Sequence, residues 1–69
     1  MDLTKTQQQV HSYIKKYVRE HGYAPSLWDI SNAFGWASAN GAKTHLIALE
    51  KKGYIKRAYN IPRGIKVLK

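Results

Sequence analysis

The residues best suited to recognition chemistry lie in one stretch that begins at Ser38 and has helical spacing. Asn40 can pair with adenine through two hydrogen bonds, and Lys43 can donate to the acceptors of guanine or to a phosphate. Thr44 can hydrogen-bond to a base or touch the methyl group of thymine. Gly41 would let the backbone approach a ligand closely. These residue types, in this order, indicate a surface that contacts the edges of nucleic-acid bases.

The charge of the chain is unevenly distributed. The 69 residues carry a formal net charge of +8. Residues 1–42 hold four Lys or Arg and three Asp or Glu, whereas residues 43–69 hold eight Lys or Arg and one Glu. A positive field confined to the C-terminal part favours a polyanionic partner, and nucleic acid is the commonest one. The plainer interpretation is a solvated surface that keeps a small protein in solution.

The sequence offers no residue set for catalysis, a metal or a cofactor. It has no cysteine, and its three histidines, at positions 11, 21 and 45, are not at metal-ligand spacing. Its four acidic residues form no obvious pair, and no base accompanies its serines. We therefore expect no enzymatic activity and no cofactor. Because there is no signal-peptide segment and no apolar run long enough to span a membrane, we expect a cytoplasmic protein.

Two capping signatures predict where the first two helices begin. Thr4 and Gln7 have the spacing of a capping box, and Ser26 and Asp29 repeat it. Glycines at positions 22 and 35 would end these helices in a left-handed conformation. Apolar residues at helical spacing predict the buried faces, which are Val10, Tyr13, Ile14, Tyr17 and Val18 in the first helix and Ile30, Ala33 and Phe34 in the second.

A third helix is predicted over residues 38–52, with Ser38 as its cap. Its buried face is predicted to be Ala42, His45, Leu46 and Leu49, and its exposed face Asn40, Lys43, Thr44 and Ile47. Residues 54–59 and 64–68 alternate in the manner of strands around a turn at 60–63, which predicts a hairpin. A lone hairpin is marginal in water, so we expect its inward residues Ile55, Ile65 and Val67 to pack on the helices.

Three helices followed by a hairpin outline a winged helix-turn-helix, a mainly α fold with a two-stranded antiparallel wing. We expect one such domain over residues 1–69. Its second and third helices are joined by the short segment Gly35-Trp36-Ala37, in which Trp36 is expected to pack. The second helix of such a unit enters the DNA major groove. Contacts with the DNA backbone or an adjacent minor groove are expected from the wing, residues 59–64, and its surroundings, namely Lys51, Lys52, Arg57, Asn60 and Arg63.

Several short segments, in their order and spacing, carry a family resemblance. They include Thr4-Lys5-Thr6-Gln7-Gln8, Gly22-Tyr23-Ala24-Pro25-Ser26, Phe34-Gly35-Trp36, Ser38-Ala39-Asn40, Lys52-Gly53-Tyr54-Ile55 and Arg63-Gly64-Ile65. With them, the chain resembles the N-terminal DNA-binding domain of LexA repressors, the bacterial SOS regulators. The resemblance implies a sequence-specific repressor that binds an operator half-site. It also implies base contacts from Ser38, Asn40, Gly41, Lys43 and Thr44, although Ser38 could equally act as a cap alone.

The chain departs from that family in two respects. LexA proteins commonly have acidic residues where this chain has Lys43 and Thr44, so the resemblance implies an operator other than the usual SOS sequence. The family's serine-lysine self-cleavage domain, which also forms the dimer interface, has no counterpart here. We therefore expect either an excised domain or a short phage or plasmid relative. It would act in a bacterial cell or phage-infected host, and would bind a two-fold operator as a pair that could form only on DNA.

Two other functions remain open from the sequence. A winged helix can serve as a protein-interaction module, such as an antirepressor or an assembly subunit. The residues that favour this are apolar at positions where exposure is expected, and they are Leu27, Trp28, Ile47 and Ile61. The third possibility is non-specific binding of DNA or RNA through charge alone.

Overall fold

The computed structural model describes residues 3–58 and 63–69 of the chain. In these ranges three helices precede two strands, in the order α1 (Lys5–His21), α2 (Leu27–Phe34), α3 (Ala39–Lys51), β1 (Ile55–Arg57) and β2 (Ile65–Val67). The strands pair antiparallel. This architecture confirms the predicted winged helix-turn-helix. The predicted turn residues Asn60, Ile61 and Pro62 lie outside the described residues.

The two predicted capping boxes are both present. The Thr4 hydroxyl accepts a hydrogen bond from the Gln7 backbone N–H, and the Gln7 side chain accepts one from the Thr4 N–H, each over 3.1 Å. The Ser26 hydroxyl and the Asp29 carboxylate make the same reciprocal pair at the start of α2, over 3.1 and 3.0 Å. Each box satisfies amide groups that the first helical turn leaves without a partner. These local pairs therefore determine where α1 and α2 begin.

The core forms where one face of α3 meets every other element. It is a cluster of fully buried apolar residues, which are Val10, Ile14, Ile30, Ala42, Leu46, Leu49 and Ile55. All three buried residues of α3 belong to it. The cluster confirms the predicted burial of Val10 and Ile14 on α1 and of Ala42, Leu46 and Leu49 on α3, and the inward direction of Ile55. The other residues predicted to be buried on these two helices are half-buried, and they are Tyr13, Tyr17, Val18 and His45. Burial of these side chains is the main favourable term in the stability of so small a domain.

The buried face of α2 differs from its prediction. Ala33 is exposed, whereas Ser31 is fully buried. The Ser31 hydroxyl donates a hydrogen bond to the carbonyl oxygen of Ser38 over 3.0 Å, which compensates the cost of burying it. An apolar-pattern argument places Ala33 inside because it ignores polar residues that find partners. The Ser31–Ser38 bond ties α2 to the residue that precedes α3.

The hairpin is shorter than predicted but faces the core as expected. Its register pairs Ile55 with Val67, Lys56 with Lys66, and Arg57 with Ile65. Ile55 is buried, and Ile65 and Val67 are half-buried against the core cluster. The backbone carbonyl of Tyr54 accepts hydrogen bonds from the N–H groups of Leu68 and Lys69 over 2.9 and 3.2 Å, closing the open end of the hairpin.

His11 couples the stability of the fold to pH. Its imidazole packs edge-on against the Tyr54 ring, with the centroids 5.1 Å apart, and its Nε2 is buried without a hydrogen-bond partner in the described structure. Burial, and secondarily the charge of Lys15, lowers the pKa of His11 below its usual value. Below about pH 6.5 the unfolded chain therefore takes up a proton that the folded chain resists.

We predict that the free energy of unfolding falls as the pH is lowered from about 7 to about 5.5, and that His11→Gln reduces this dependence. The reason is that His11→Gln removes a group with a depressed pKa in the folded state. Urea denaturation at several pH values measures the slope. The matched control is His21→Gln, which removes an exposed imidazole from the same helix. Equal slopes for the two variants would contradict the role given to His11.

Candidate nucleic-acid interface

The face of α3 that carries the predicted base-contacting residues is solvent-exposed. Asn40, Lys43, Thr44 and Ile47 are all exposed, and the opposite face is the buried one described above. Ile47 is 45% exposed, an unusual position for a large apolar side chain. The helix thus presents amide, ammonium and hydroxyl groups together with one apolar group.

The side chain of Thr44 makes one hydrogen bond within its own helix. Its hydroxyl donates a hydrogen bond to the carbonyl oxygen of Asn40 over 3.0 Å. This back-bonding fixes the rotamer of a side chain that would otherwise turn freely. The hydroxyl donor is therefore engaged, while the acceptor lone pairs and the methyl group still face solvent. Contact with a thymine methyl group or with a base donor is the chemistry this arrangement allows.

Ser38 occupies the predicted cap position of α3, but its side chain makes no capping hydrogen bond. Its backbone is extended, with φ −144° and ψ 162°, and its carbonyl oxygen accepts from the Ser31 hydroxyl and, over 3.4 Å, from the Gly41 N–H. The prediction that the Ser38 hydroxyl caps the helix is therefore wrong. Its backbone carbonyl, rather than its side chain, links it to its neighbours.

Gly41 has a structural role that the sequence did not suggest. A β-carbon built there would lie 3.3 Å from two ring atoms of Trp36. The Trp36 ring itself stacks with those of Phe34 and His45, at centroid distances of 4.9 and 5.1 Å. Trp36 and His45 are thus packing residues, as predicted. The missing side chain at Gly41 makes room for this stack at the turn between α2 and α3.

We predict that Gly41→Ala does not stabilise the protein. Replacing glycine by alanine in a helix normally stabilises it by up to about 1 kcal/mol. Here the added methyl group would press on Trp36, whose ring also stacks with Phe34 and His45 and so resists displacement. The control is Thr44→Ala in the next turn of the same helix, which should gain about 0.5 kcal/mol. Chemical denaturation measures both, and a full gain for Gly41→Ala would show that Trp36 yields.

The residues predicted to contact the DNA backbone differ in exposure and in the contacts that they make within the domain. Lys51 is exposed in the last turn of α3. The Lys52 ammonium donates to the side-chain oxygen of Gln7 over 3.0 Å, which joins the end of α3 to the start of α1. Arg57 is half-buried, and its backbone N–H donates to the Glu50 carboxylate over 3.2 Å. Asn60 lies outside the described residues.

Arg63 lies against the helices. Its Nη1 is 2.8 Å from the Asp29 carboxylate, and it also contacts α1. Hydrogen bonding from the Ser26 backbone, and secondarily from the Ser26 side chain and Arg63, holds the pKa of Asp29 below its usual value against the opposing effect of burial. This carboxylate therefore stays ionised and keeps its partner through the neutral range.

Two lysines that the sequence analysis did not select stand side by side on the wing. Lys56 and Lys66 are direct cross-strand partners and both are exposed, on the face opposite Ile55 and Val67. Like charges directly opposite each other are unfavourable in a sheet. An anion near both would relieve that repulsion. The alternation of the two strands could have revealed this pair, had the register been known.

The apolar residues considered for a protein contact separate into two kinds. Trp28 is 58% exposed. Leu27 is half-buried and packs against the core cluster, so it contributes mainly to the fold. Ile61 lies outside the described residues. The exposed apolar surface at the start of α2 is therefore essentially that of Trp28.

Comparison with known proteins decides the family. The family model described as "LexA DNA binding domain" matches residues 1–64. The chain belongs to this family. LexA repressors from Petrotoga mobilis and Staphylococcus epidermidis are 51% and 45% identical to it over 67 residues, or 97% of the chain. That from Halalkalibacterium halodurans is 48% identical over 66 residues. The chain spans 32% of the length of each of these relatives.

Within residues 3–58 and 63–69 no group of three or more His, Asp or Glu is placed to hold a metal. In the same ranges no helix has the length and apolar character needed to cross a membrane. The family's description concerns DNA binding, and α3 and the strand pair carry exposed polar and cationic side chains.

Proposed function

We propose that this domain binds double-stranded DNA sequence-specifically and serves a LexA-like transcriptional repressor. The supporting observation is the division of α3 into one fully buried face and one exposed polar face. In this proposal α3 lies in the major groove, and the wing contacts the backbone or an adjacent minor groove. The domain itself has no catalytic role, and its place of action is the bacterial cytoplasm.

The dimensions of the exposed face suit the groove. An α-helix with its side chains is about 10–12 Å across, close to the major-groove width of about 12 Å. From Asn40 to Ile47 the exposed face extends over roughly 10 Å along the helix axis. Asn40, in the first turn, is the candidate for a two-bond contact with adenine. Lys43 contacts a guanine or a nearby phosphate, and Thr44 offers its methyl group. Ser38 and Gly41 contribute through the closeness of their backbone to the DNA.

The phosphate contacts come from cations around this face. They are Lys51, Lys52 and Arg57, with Asn60 at the wing, and we add the adjacent pair Lys56 and Lys66. Phosphate contacts position the protein without selecting a sequence. Because one small module recognises few bases, we propose that two copies occupy the half-sites of a two-fold operator.

We predict that selection from a random duplex pool enriches one motif, and that Asn40→Ala loses about 1–3 kcal/mol of binding free energy at a single base position of it. The loss should vanish when that base pair is changed, because the wild type can then no longer form these hydrogen bonds either. Fluorescence anisotropy with matched and changed duplexes measures this. Equal losses on selected and random DNA would contradict base recognition by Asn40, and failure to enrich a motif would contradict sequence specificity.

We predict opposite effects on folding and binding for the double variant Lys56→Gln/Lys66→Gln. Removing the like-charge pair should slightly stabilise the free domain, whereas removing two phosphate-binding cations should weaken DNA binding. The slope of log affinity against log salt should decrease by about 0.9 for each phosphate that is no longer neutralised. The control is Lys5→Gln, which removes one exposed positive charge at the start of α1, outside the strand pair. An unchanged slope in the double variant would remove these lysines from the interface.

A protein-binding function remains a second candidate because Trp28 is exposed. This alternative requires salt-insensitive association with a protein and no retention of duplex DNA. The same selection experiment distinguishes the two, since a DNA-binding domain enriches a motif and a protein-interaction module does not. Binding of random and selected duplexes with equal affinity would instead favour association through charge alone.

A further inference from the structure

We propose that Arg63 is a positioning residue, which fixes the wing against α1 and α2 and thereby sets where the wing lies relative to α3. From the sequence, Arg63 is instead expected to contact the DNA backbone or an adjacent minor groove. The present inference rests on the proposed DNA-binding function, and it names the interaction that orients the second contact surface of that same interface.

The guanidinium of Arg63 lies in a socket built by α1 and the start of α2. Its Nη1 is 2.8 Å from Asp29 Oδ2, 3.2 Å from the Tyr17 hydroxyl and 3.2 Å from the Ala24 carbonyl oxygen. Its central carbon lies 4.9 Å from the centre of the Tyr23 ring, within the range of a cation–π contact. Three acceptors and one ring therefore surround the side chain.

The groups that form the socket also make hydrogen bonds with one another. The Tyr17 hydroxyl donates to Asp29 Oδ2 over 3.3 Å while it accepts from Arg63. The same carboxylate oxygen accepts the Ser26 backbone N–H of the α2 capping box. Ala24, which supplies the carbonyl, is itself buried. Asp29 and Tyr17 thus have a partner within the socket besides Arg63, which ties the socket to α1 and α2.

The backbone at Arg63 indicates that this arrangement is imposed by its surroundings. Arg63 has φ +60°, and it is the one non-glycine residue in the described ranges with a positive φ. A left-handed conformation is unfavourable for such a residue and persists when neighbouring interactions hold it. Arg63 directly precedes Gly64, whose carbonyl oxygen accepts the Ala58 N–H over 2.7 Å. The socket therefore fixes the chain at the point where it enters the strand pair.

The wing is then anchored on both strands. The Arg57 N–H on β1 donates to Glu50 of α3, and Arg63 before β2 contacts α1 and α2. A hairpin held on one strand alone could rotate about that strand. The second anchor restricts this rotation, and with it the direction in which Lys56 and Lys66 face.

The two roles considered for Arg63, positioning the wing and contacting a phosphate, predict opposite effects of one substitution on the affinity for DNA. Asp29→Asn removes a negative charge, so electrostatics alone would strengthen binding to DNA. If Asp29 holds Arg63 in place, the same change releases the wing and weakens binding. Tyr17→Phe removes one hydroxyl from the socket without changing any charge, and it gives a second, milder test.

The experiment measures affinity for the selected duplex across a range of salt concentrations for Asp29→Asn, Tyr17→Phe, Arg63→Gln and the double variant Asp29→Asn/Arg63→Gln. We expect each to weaken binding by up to about fivefold, the upper range for an exposed ion pair. The double variant should lose no more than the larger single loss, because both changes remove one interaction. The salt slope of Tyr17→Phe should equal that of the wild type.

The matched control is Ser26→Ala, which removes the hydroxyl cap of α2 but leaves the Asp29 carboxylate and its contact with Arg63. It should lower stability and preserve affinity at a temperature where all variants are folded. Amide exchange of Ala58 in the free proteins gives a readout without DNA. It should be faster in Asp29→Asn and Tyr17→Phe than in Ser26→Ala.

Tighter or unchanged binding by Asp29→Asn, together with a salt slope lower by about 0.9 in Arg63→Gln, would overturn the proposal and restore the phosphate contact. An effect of Ser26→Ala equal to that of Asp29→Asn would also overturn it, since α2 stability would then explain both. If the wild type enriches no duplex, the proposed function fails. The amide exchange rates of Ala58 still test the role of the socket. Unchanged rates in both Asp29→Asn and Tyr17→Phe would contradict that role.

Discussion

Burial of one face of α3 is the constraint on which the rest of the molecule depends. Each other element contributes to the same core, through Val10 and Ile14 of α1, Ile30 of α2 and Ile55 of β1. Because Ala42, Leu46 and Leu49 are held on three sides, the opposite face of α3 has one possible direction, towards solvent. A domain of this size has little apolar area to spare, so the core and the direction of the DNA-binding face are set by the same contacts.

The features that sequence reasoning predicted depend on short-range rules. A capping box involves residues three positions apart, so Thr4 with Gln7 and Ser26 with Asp29 could be recognised without knowledge of the fold. Helical spacing likewise separated Leu46 and Leu49 from Lys43. These local signals were enough to give the order of elements and the exposed face of α3, whereas the family came from the resemblance of several short segments.

The features that it missed depend on partners that lie outside the residue's own helix or strand. Ser31 is buried because a carbonyl oxygen seven residues away accepts its hydroxyl. Arg63 meets Asp29 across 34 residues, and composition alone could not distinguish this contact from one with DNA. Gly41 lacks a side chain because Trp36 packs there, and nothing in the local sequence records that proximity. In each case the missing information was the tertiary neighbour, which periodicity does not contain.

The division of α3 also has an evolutionary consequence. Asn40, Lys43 and Thr44 touch neither the core nor the turn through their side-chain ends, apart from the one bond of Thr44 within its own helix. Substitutions there change the chemical surface at little cost to folding, so lineages can explore new binding partners by small steps. Gly41 lies between them in the sequence, but a side chain at this position would press on the Trp36 ring. A change of binding partner can therefore be confined to a few positions of one helix while the core residues remain as they are.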